Sequence, residues 1–245
     1  MLPIRDHNPS GRTPYVTYAL MAANILIFLS YVGAFSDARA INEVYWNWAM
    51  IPERFSRGEV PYTMISSMFL HGGWMHLAGN MLFLWIFGDN IEDEMGHIPY
   101  LGFYLLTGIA AGLIHYLSAP YSNVPTVGAS GAIAGVMGGY LLLFPKAKVD
   151  ILLILIVFFR IFPIPAWIML MVWFTMQFFG GIGSNPESGG VAYWAHAGGF
   201  IAGIICAIPV WLKRGGTDFW KNNDYHPPHP EAVYSRSSIP RVKKR

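Results

Sequence analysis

Charge is what this sequence has least of. Only 12% of its 245 residues are Asp, Glu, Lys or Arg, about half the share a soluble domain carries. None occurs from Thr13 to Ser36, from Val60 to Gly88, or from Met95 to Pro145. After Arg160 the next charge is Glu187, and none follows until Lys213. A spanning helix needs about 20 mostly apolar residues, so these gaps have the size of membrane spans, singly or in pairs. A soluble globule, a disordered chain and a nucleic-acid binder are excluded. Cysteine is almost missing too: Cys206, in an apolar run, is the single one, which rules out a disulfide framework and a thiolate metal cluster. Met1–Pro14 lacks the basic, apolar and small-residue pattern of a removable signal peptide, so the first span is expected to act as its own insertion signal. What fills the chain is apolar, 54% of all residues, with a mean hydropathy of +0.39.

The gaps predict an all-α polytopic membrane protein with six transmembrane helices. The spans fall near Tyr15–Phe35, Trp74–Gly88, Pro99–Leu117, Val127–Phe144, Ala166–Ile182 and Tyr193–Leu212. The apolar run Ile151–Phe162 would rise only about 18 Å as a helix, short of a hydrocarbon core of roughly 30 Å. It is placed at the interface as an amphipathic or extended insertion. Three regions result: a short cytoplasmic segment 1–13, a membrane domain 14–212, and a disordered basic cytoplasmic tail 213–245. With both ends inside, inner segments hold Arg5, Arg12, Lys146, Lys148, Arg160 and the basic tail, whereas outer loops hold only Arg39, Arg54 and Arg57. This bias orients both termini toward the cytoplasm, in a prokaryotic inner or plasma membrane. Ser36–Pro61 sets Tyr45, Trp46 and Trp48 beside charges, as a segment in the headgroup region does. The tail, ending in Arg241–Arg245, is attracted to anionic lipid. His226 and His229 within it are read as bystanders, and no metal site is expected.

Polar side chains within a span are costly and become functional candidates by default. The short set is His76, Asn80, Ser130 and His196; Thr107, His115, Thr175 and Gln177 are read as packing or interfacial groups. Spans two, four and six run in the same direction, and His76, Ser130 and His196 each fall near the start of one, at similar depth. Asn80 lies one turn below His76 on the same helical side. Gly131, Gly135 and Gly139 form a ridge beginning beside Ser130, and Gly199 and Gly203 another beside His196. Small-residue ridges let membrane helices approach closely.

A serine hydroxyl is a poor nucleophile until a base takes its proton, and histidine is the usual base at neutral pH. Acyl transfer puts charge on a carbonyl oxygen, which needs fixed donors in a dry site. The parts predicted are Ser130 as nucleophile, His196 as base, and the Ser130 N–H, Asn80 and His76 as oxyanion donors. No Asp or Glu is expected within a span, so this is a dyad. Rival hydrolases fit less well. An aspartyl membrane protease needs two span aspartates. His71–His76 reads HGGWMH rather than His-Glu-x-x-His. Gly128–Ala132 lacks the last glycine of a nucleophile elbow.

HGGWMHLAGN at His71–Asn80, GASGAIAG at Gly128–Gly135 and AHAGG at Ala195–Gly199 resemble the rhomboid family of intramembrane serine proteases. IEDEMG at Ile91–Gly96 is similar to the family's Glu-x-x-x-Gly stretch. The resemblance covers about Tyr15 to Leu212. It implies a six-helix bundle whose Ser130–His196 dyad opens to the outer face, with His76 and Asn80 binding the oxyanion. Structural roles are implied for Glu92, Gly96, Gly128, Gly131, Gly135, Gly199 and Gly203. Substrates would be single-span membrane proteins within the lipid bilayer, with no cofactor, metal or nucleic acid. Two places depart from the family. Tyr62-Thr63 stands where many members carry Trp-Arg, and Ala134 stands where some stack an aromatic ring on the catalytic histidine, leaving the group that orients His196 unassigned. Bulky span five, with Trp167, Trp173, Phe174, Phe178 and Phe179, is expected to be a lateral substrate gate, with Gly181–Gly190 as its cap. A catalytically silent rhomboid-like protein that escorts clients is the alternative. A transporter would need ionisable groups deep in its spans or interrupted helices in repeat pairs.

Overall fold

The structure, a computed structural model, describes residues 2–155, 158–185 and 189–234. Strand β1 (Leu2–Asp6) is followed by α1 (Tyr15–Tyr31), which continues through a 3-10 turn to Ser36. Three short helices lie between α1 and the next long helix: α2 (Ala38–Trp48), α3 (Pro52–Ser56) and α4 (Thr63–Ser66). Then come α5 (Trp74–Met95), α6 (His97–Ser118) and α7 (Ser130–Leu143), a hairpin of β2 (Lys148–Leu155) and β3 (Phe158–Pro165), α8 (Ala166–Gly183), α9 (Tyr193–Lys213) and α10 (Thr217–Asn222). The protein is thus a mostly helical, polytopic membrane fold. Among the described residues, four helices are long and apolar enough to cross a bilayer: Tyr15–Ser36, His97–Ser118, Ala166–Gly183 and Tyr193–Lys213. The other two long elements differ in kind, since α7 has 14 residues and α5 carries carboxylates in its last turns.

The core sits around α7, whose residues from Gly131 to Tyr140 are all buried. Large apolar side chains such as Leu26, Leu106, Met176, Phe179 and Ile205 point outward, as they can where the solvent is lipid. The glycines decide which helices touch. A β-carbon on Gly199 would strike the carbonyl of Gly131, one on Gly203 that of Gly135, and one on Gly138 that of Phe200. Those obstacles are backbone, so no rotamer change relieves them. The α7 and α9 backbones are in direct contact. Gly131 and Gly135 turn their own open sides to Ala111 and Thr107 on α6.

The polar end of the bundle has three features, of which the first and the third depart from the sequence expectation and the second is one of the two forms expected. First, α5 does not stop at Gly88; it runs on to Met95 and takes Asp89, Glu92, Asp93 and Glu94 into a helix. Each of three has a partner that makes this tolerable. Glu92, 1% exposed, accepts the backbone N–H groups of Val16 and Thr17 at 2.8 and 2.7 Å and the Thr17 hydroxyl at 2.7 Å. It thereby caps the orphan donors at the start of α1. His97 Nδ1 lies 2.6 Å from its other face, and Gly96, at φ 81°, makes the turn into α6 that only glycine adopts readily. Asp93 accepts the Gly11 N–H at 2.7 Å, and Glu94 pairs with Arg214 at 2.5 Å.

Second, the 151–162 insertion is extended: β2 and β3 form an antiparallel hairpin, and β1 adds to β2 to give the order β1-β2-β3. Two short strands satisfy each other's backbone where one short helix could not span. Third, the tail from 213 is ordered as far as Tyr234. Phe219 of α10 is buried, and Trp220 Nε1 donates to the Leu142 carbonyl at 2.9 Å. Ala232 N donates to His7 O at 2.9 Å, the Tyr234 hydroxyl donates to Asp6 O at 2.9 Å, and Lys148 pairs with Glu231 at 2.7 Å. Aromatic anchors outweigh the polar, proline-rich composition there. The basic end Arg241–Arg245 lies outside the described residues.

In the loop between α1 and α5, the Arg54 guanidinium stacks on Trp46, 4.0 Å from its ring centroid, and donates to the Trp46 carbonyl. Tyr62 donates to Asn47 O at 2.9 Å. These contacts tie down the loop where Tyr62-Thr63 replaces the family's pair.

Two predictions follow from the polar end. Glu92→Ala strands two backbone donors at the start of α1 and should cost about 1–3 kcal/mol, read as a lower melting temperature in detergent; Glu92→Gln should recover part of it. Asp6, which accepts the Tyr140 hydroxyl at 2.7 Å, is pushed from 3.8 up to about 8, chiefly by burial. Folding therefore favours its neutral form, a contribution complete below pH 3.8 and lost as pH rises through about 8. Asp150 runs the other way: burial opposes its ionisation, but hydrogen bonds from His7 and Arg5 prevail and lower it, so its contribution is lost on acidification. The melting temperature of Asp6→Asn should match wild type in acid and exceed it in mild alkali; superimposed curves would exclude the linkage.

Candidate active site

The end opposite the polar cap gathers the sequence-predicted polar residues. Ser130 is the first residue of α7, three residues later than the expected start of span four. That places it among the unpaired N–H groups of a helix N-terminus, where the dipole favours negative charge. His196 is the fourth residue of α9, and its Nε2 lies 2.7 Å from Ser130 Oγ. The contact follows from the glycines, because Gly131 comes directly after Ser130 and Gly199 one turn after His196.

His76 occupies the first turn of α5. The Gly72 N–H donates to its Nδ1 at 3.2 Å, which leaves Nε2 carrying the ring proton. Its ring packs edge-on against buried His71, with centroids 5.2 Å apart. His71 is in turn held by Tyr31, whose hydroxyl accepts the His71 N–H at 2.6 Å and donates to its carbonyl at 2.9 Å. A β-carbon at Gly128 would meet His76 Nε2 at 2.8 Å and Ser130 Oγ at 3.5 Å, and its φ is 130°. Gly128 therefore makes the turn into α7 and leaves room for the imidazole. Asn80, 7% exposed, holds an Nδ2 with no protein acceptor.

His76, Asn80, Ser130 and His196 line one cavity of about 1280 Å³. Its walls come from α5 (Met75, Gly79, Phe83), α6 (His115, Ser118), the loop Val124–Val127, and α8 (Trp173, Gly180, Gly183). Among the described residues, no Asp, Glu, Lys or Arg lines it. The predicted structural residues stand elsewhere: Glu92 and Gly96 at the polar end, Gly131, Gly135, Gly199 and Gly203 at the helix contacts. Residues 186–188 of the expected cap lie outside the described residues.

Two neighbours of His196 were not singled out in the sequence. Gln177 of α8 places Oε1 2.8 Å from His196 Nδ1, and the Trp173 ring lies over the imidazole with centroids 5.8 Å apart and planes at 32°. Both belong to the aromatic span five. The signal was present: Gln177 is a lone amide in an apolar run, one turn from Trp173, and the cost of a polar group in a span applies to it as to the others. His115, also read as packing, faces the cavity with Nδ1 unpaired. A hydroxyl within proton-transfer reach of an imidazole, beside unsatisfied N–H donors in an uncharged cavity, is an arrangement suited to acyl transfer.

Fold and site define a class: a polytopic helical membrane protein with a serine and a histidine from adjoining helices in bonding contact. The Rhomboid domain family matches residues 58–213, well over half of the chain, and the chain belongs to that family. Over 74 residues it is 42% identical to "Rhomboid-like protein 11, chloroplastic" of Arabidopsis thaliana, covering 30% of this chain and 26% of that protein. It is 31% identical over 149 residues to "Rhomboid protein 1, mitochondrial" of Saccharomyces cerevisiae (58% and 40%). It is 29% identical over 205 residues to "Rhomboid protease GluP" of Bacillus subtilis (83% and 36%). The chain spans about a quarter to two-fifths of the length of these curated relatives.

Proposed function

We propose that this protein is an intramembrane serine endopeptidase that cleaves single-span membrane proteins in or near the bilayer. The observation that carries the reading is the 2.7 Å contact between Ser130 Oγ and His196 Nε2 at the start of two helices. In the proposed reaction His196 takes the Ser130 proton as Oγ attacks the scissile carbonyl. The tetrahedral oxyanion is bound by the Ser130 N–H, Asn80 Nδ2 and His76 Nε2. His196 then protonates the leaving amine, and water, deprotonated by His196, releases the acyl group. Each group the chemistry needs is a side chain or backbone donor of this chain, so no cofactor, metal or nucleic acid enters the scheme.

The proposed topology has six crossings with both termini cytoplasmic, in a prokaryotic inner or plasma membrane, motivated by the basic inner segments. The site then opens to the outer face. Substrate would reach it between α5 and α8, which supply opposite walls of the cavity while α8 packs mainly on α9 and α7. The bilayer and the transmembrane substrate are the partners this implies.

Incubating the purified protein with tagged single-span proteins and, separately, with a fluorophosphonate should give cleavage and a labelled Ser130. Both should vanish in Ser130→Ala and His196→Ala without loss of thermal stability. A folded wild type that neither cleaves nor labels would instead support a silent, client-binding rhomboid-like protein. Asn80→Ala should lower turnover by about 10²–10³-fold, the usual cost of one oxyanion donor, and should do less harm than Ser130→Ala because the helix N–H remains. Unchanged turnover would remove Asn80 from the oxyanion site.

A further inference from the structure

We infer that Gln177 is the positioning residue of His196: its Oε1 accepts the Nδ1–H and fixes the imidazole in the tautomer whose Nε2 lone pair faces the Ser130 hydroxyl. The role rests on the proposed Ser130–His196 chemistry, while the geometry stands apart from it.

Gln177 is 8% exposed, and a buried amide is costly unless both its ends are paired. One amide orientation pairs them. With Nε2 toward the Trp173 carbonyl, 3.4 Å away, Oε1 meets His196 Nδ1 at 2.8 Å. Nδ1 must then carry the proton, and Nε2 is left as the acceptor 2.7 Å from Ser130 Oγ. The flipped amide would set Oε1 against the Trp173 carbonyl, two acceptors facing each other. It would also turn its NH2 to Nδ1 and force the ring proton onto Nε2, leaving no basic nitrogen toward the serine. The orientation that satisfies Gln177 is the one that arms His196.

The surroundings support the assignment. The ring-bearing groups that line the cavity with His196 include His76 of α5, His115 of α6, Trp173 of α8 and Tyr193 and Trp194 of α9. His76 Nδ1 is already occupied by the Gly72 N–H, and Trp173 covers the flat side of the His196 ring. Among the described residues, Gln177 is the hydrogen-bond partner of His196 Nδ1. A neutral amide also suits the place: it orients the imidazole without the desolvation cost of burying a carboxylate beside it. The third member left blank by Ala134 is thus supplied by α8 rather than by α7.

The test uses the full-length protein in detergent, with Gln177→Leu and Gln177→Glu beside wild type. Turnover of a fluorogenic transmembrane peptide, the rate of Ser130 phosphonylation, and the ¹⁵N shifts of the His196 ring nitrogens are read together. Gln177→Leu should lower kcat and phosphonylation roughly 10–100-fold with KM unchanged, and its ring nitrogens should move toward a tautomer average. Gln177→Glu restores an acceptor and should recover most of the rate. Wild-type kcat and an unmoved ring signal in Gln177→Leu would overturn the inference, as would a Gln177→Glu protein that melts like wild type yet is no faster than Gln177→Leu. A wild-type ring protonated on Nε2 alone would overturn it without any variant. Wild type inert to peptide and phosphonate alike refutes the protease reading, and the tautomer measured in that same sample still decides the role of Gln177.

Discussion

The contact between the backbones of α7 and α9 is the constraint on which the rest depends. Helices packed through ordinary side chains keep their axes about 8–10 Å apart, and the side chains between them can repack and shift the two backbones against each other. Here Gly199 and Gly203 admit the carbonyls of Gly131 and Gly135, and Gly138 admits that of Phe200. Ser130 and His196 stand at the top of this seam, one residue and three residues beyond its first glycines. Their 2.7 Å separation is a consequence of helix packing, and any side chain added in the seam would act on the site through the backbone.

A second organising fact is the segregation of charge. Glu92, Glu94, Arg214, Asp6 and Asp150 all sit at one end, where they fasten α1, α9, the hairpin and the tail to one another. At the opposite end the ion pairs, Arg54–Glu59 and Arg57–Glu53, lie in the loop between α1 and α5, and the cavity itself is furnished with imidazoles, amides and a hydroxyl, all neutral in the arrangement derived above. In a medium of low dielectric an isolated charge costs far more than a hydrogen-bonded neutral group. Uncharged chemistry therefore suits a site set among apolar helices, and a histidine oriented by glutamine extends the same logic.

Much of this was legible in the sequence, for one physical reason: in an apolar run a polar or glycine residue must be explained. Ser130, His196, His76, Asn80 and the glycine ridges stood out on that ground. What escaped was either non-local or outweighed by its neighbours. β1 is five residues of mixed character whose partner strand lies more than 140 positions away, and no local pattern announces such a pairing. The carboxylates after Gly88 fell outside the expected span because the groups that satisfy them, the first turn of α1 and Arg214, are distant in the chain. The tail's polar composition hid the few aromatic anchors, Phe219, Trp220 and Tyr234, that hold it. Gln177 reads as a packing or interfacial group because its own span shows no ordered pattern around it, and its partner His196 lies on another helix.

Helix α8 ties two requirements together. On the proposed reading a transmembrane segment must pass between α5 and α8 to reach the cavity. Yet α8 carries both groups that hold His196, the Gln177 oxygen at its Nδ1 and the Trp173 ring over its face. An outward displacement of α8 wide enough to admit a helix, on the order of 8–10 Å between axes, exceeds hydrogen-bond reach several times over and would withdraw both. His196 would then be free to exchange tautomers while the cavity is open, and Ser130 would lack a reliably placed base. The pair is complete only when α8 rests against α9 again. On the proposed reading the Ser130 hydroxyl would then be least activated when lipid and stray chains have most access to it, and the return of α8 would be part of the chemistry as well as of the closure.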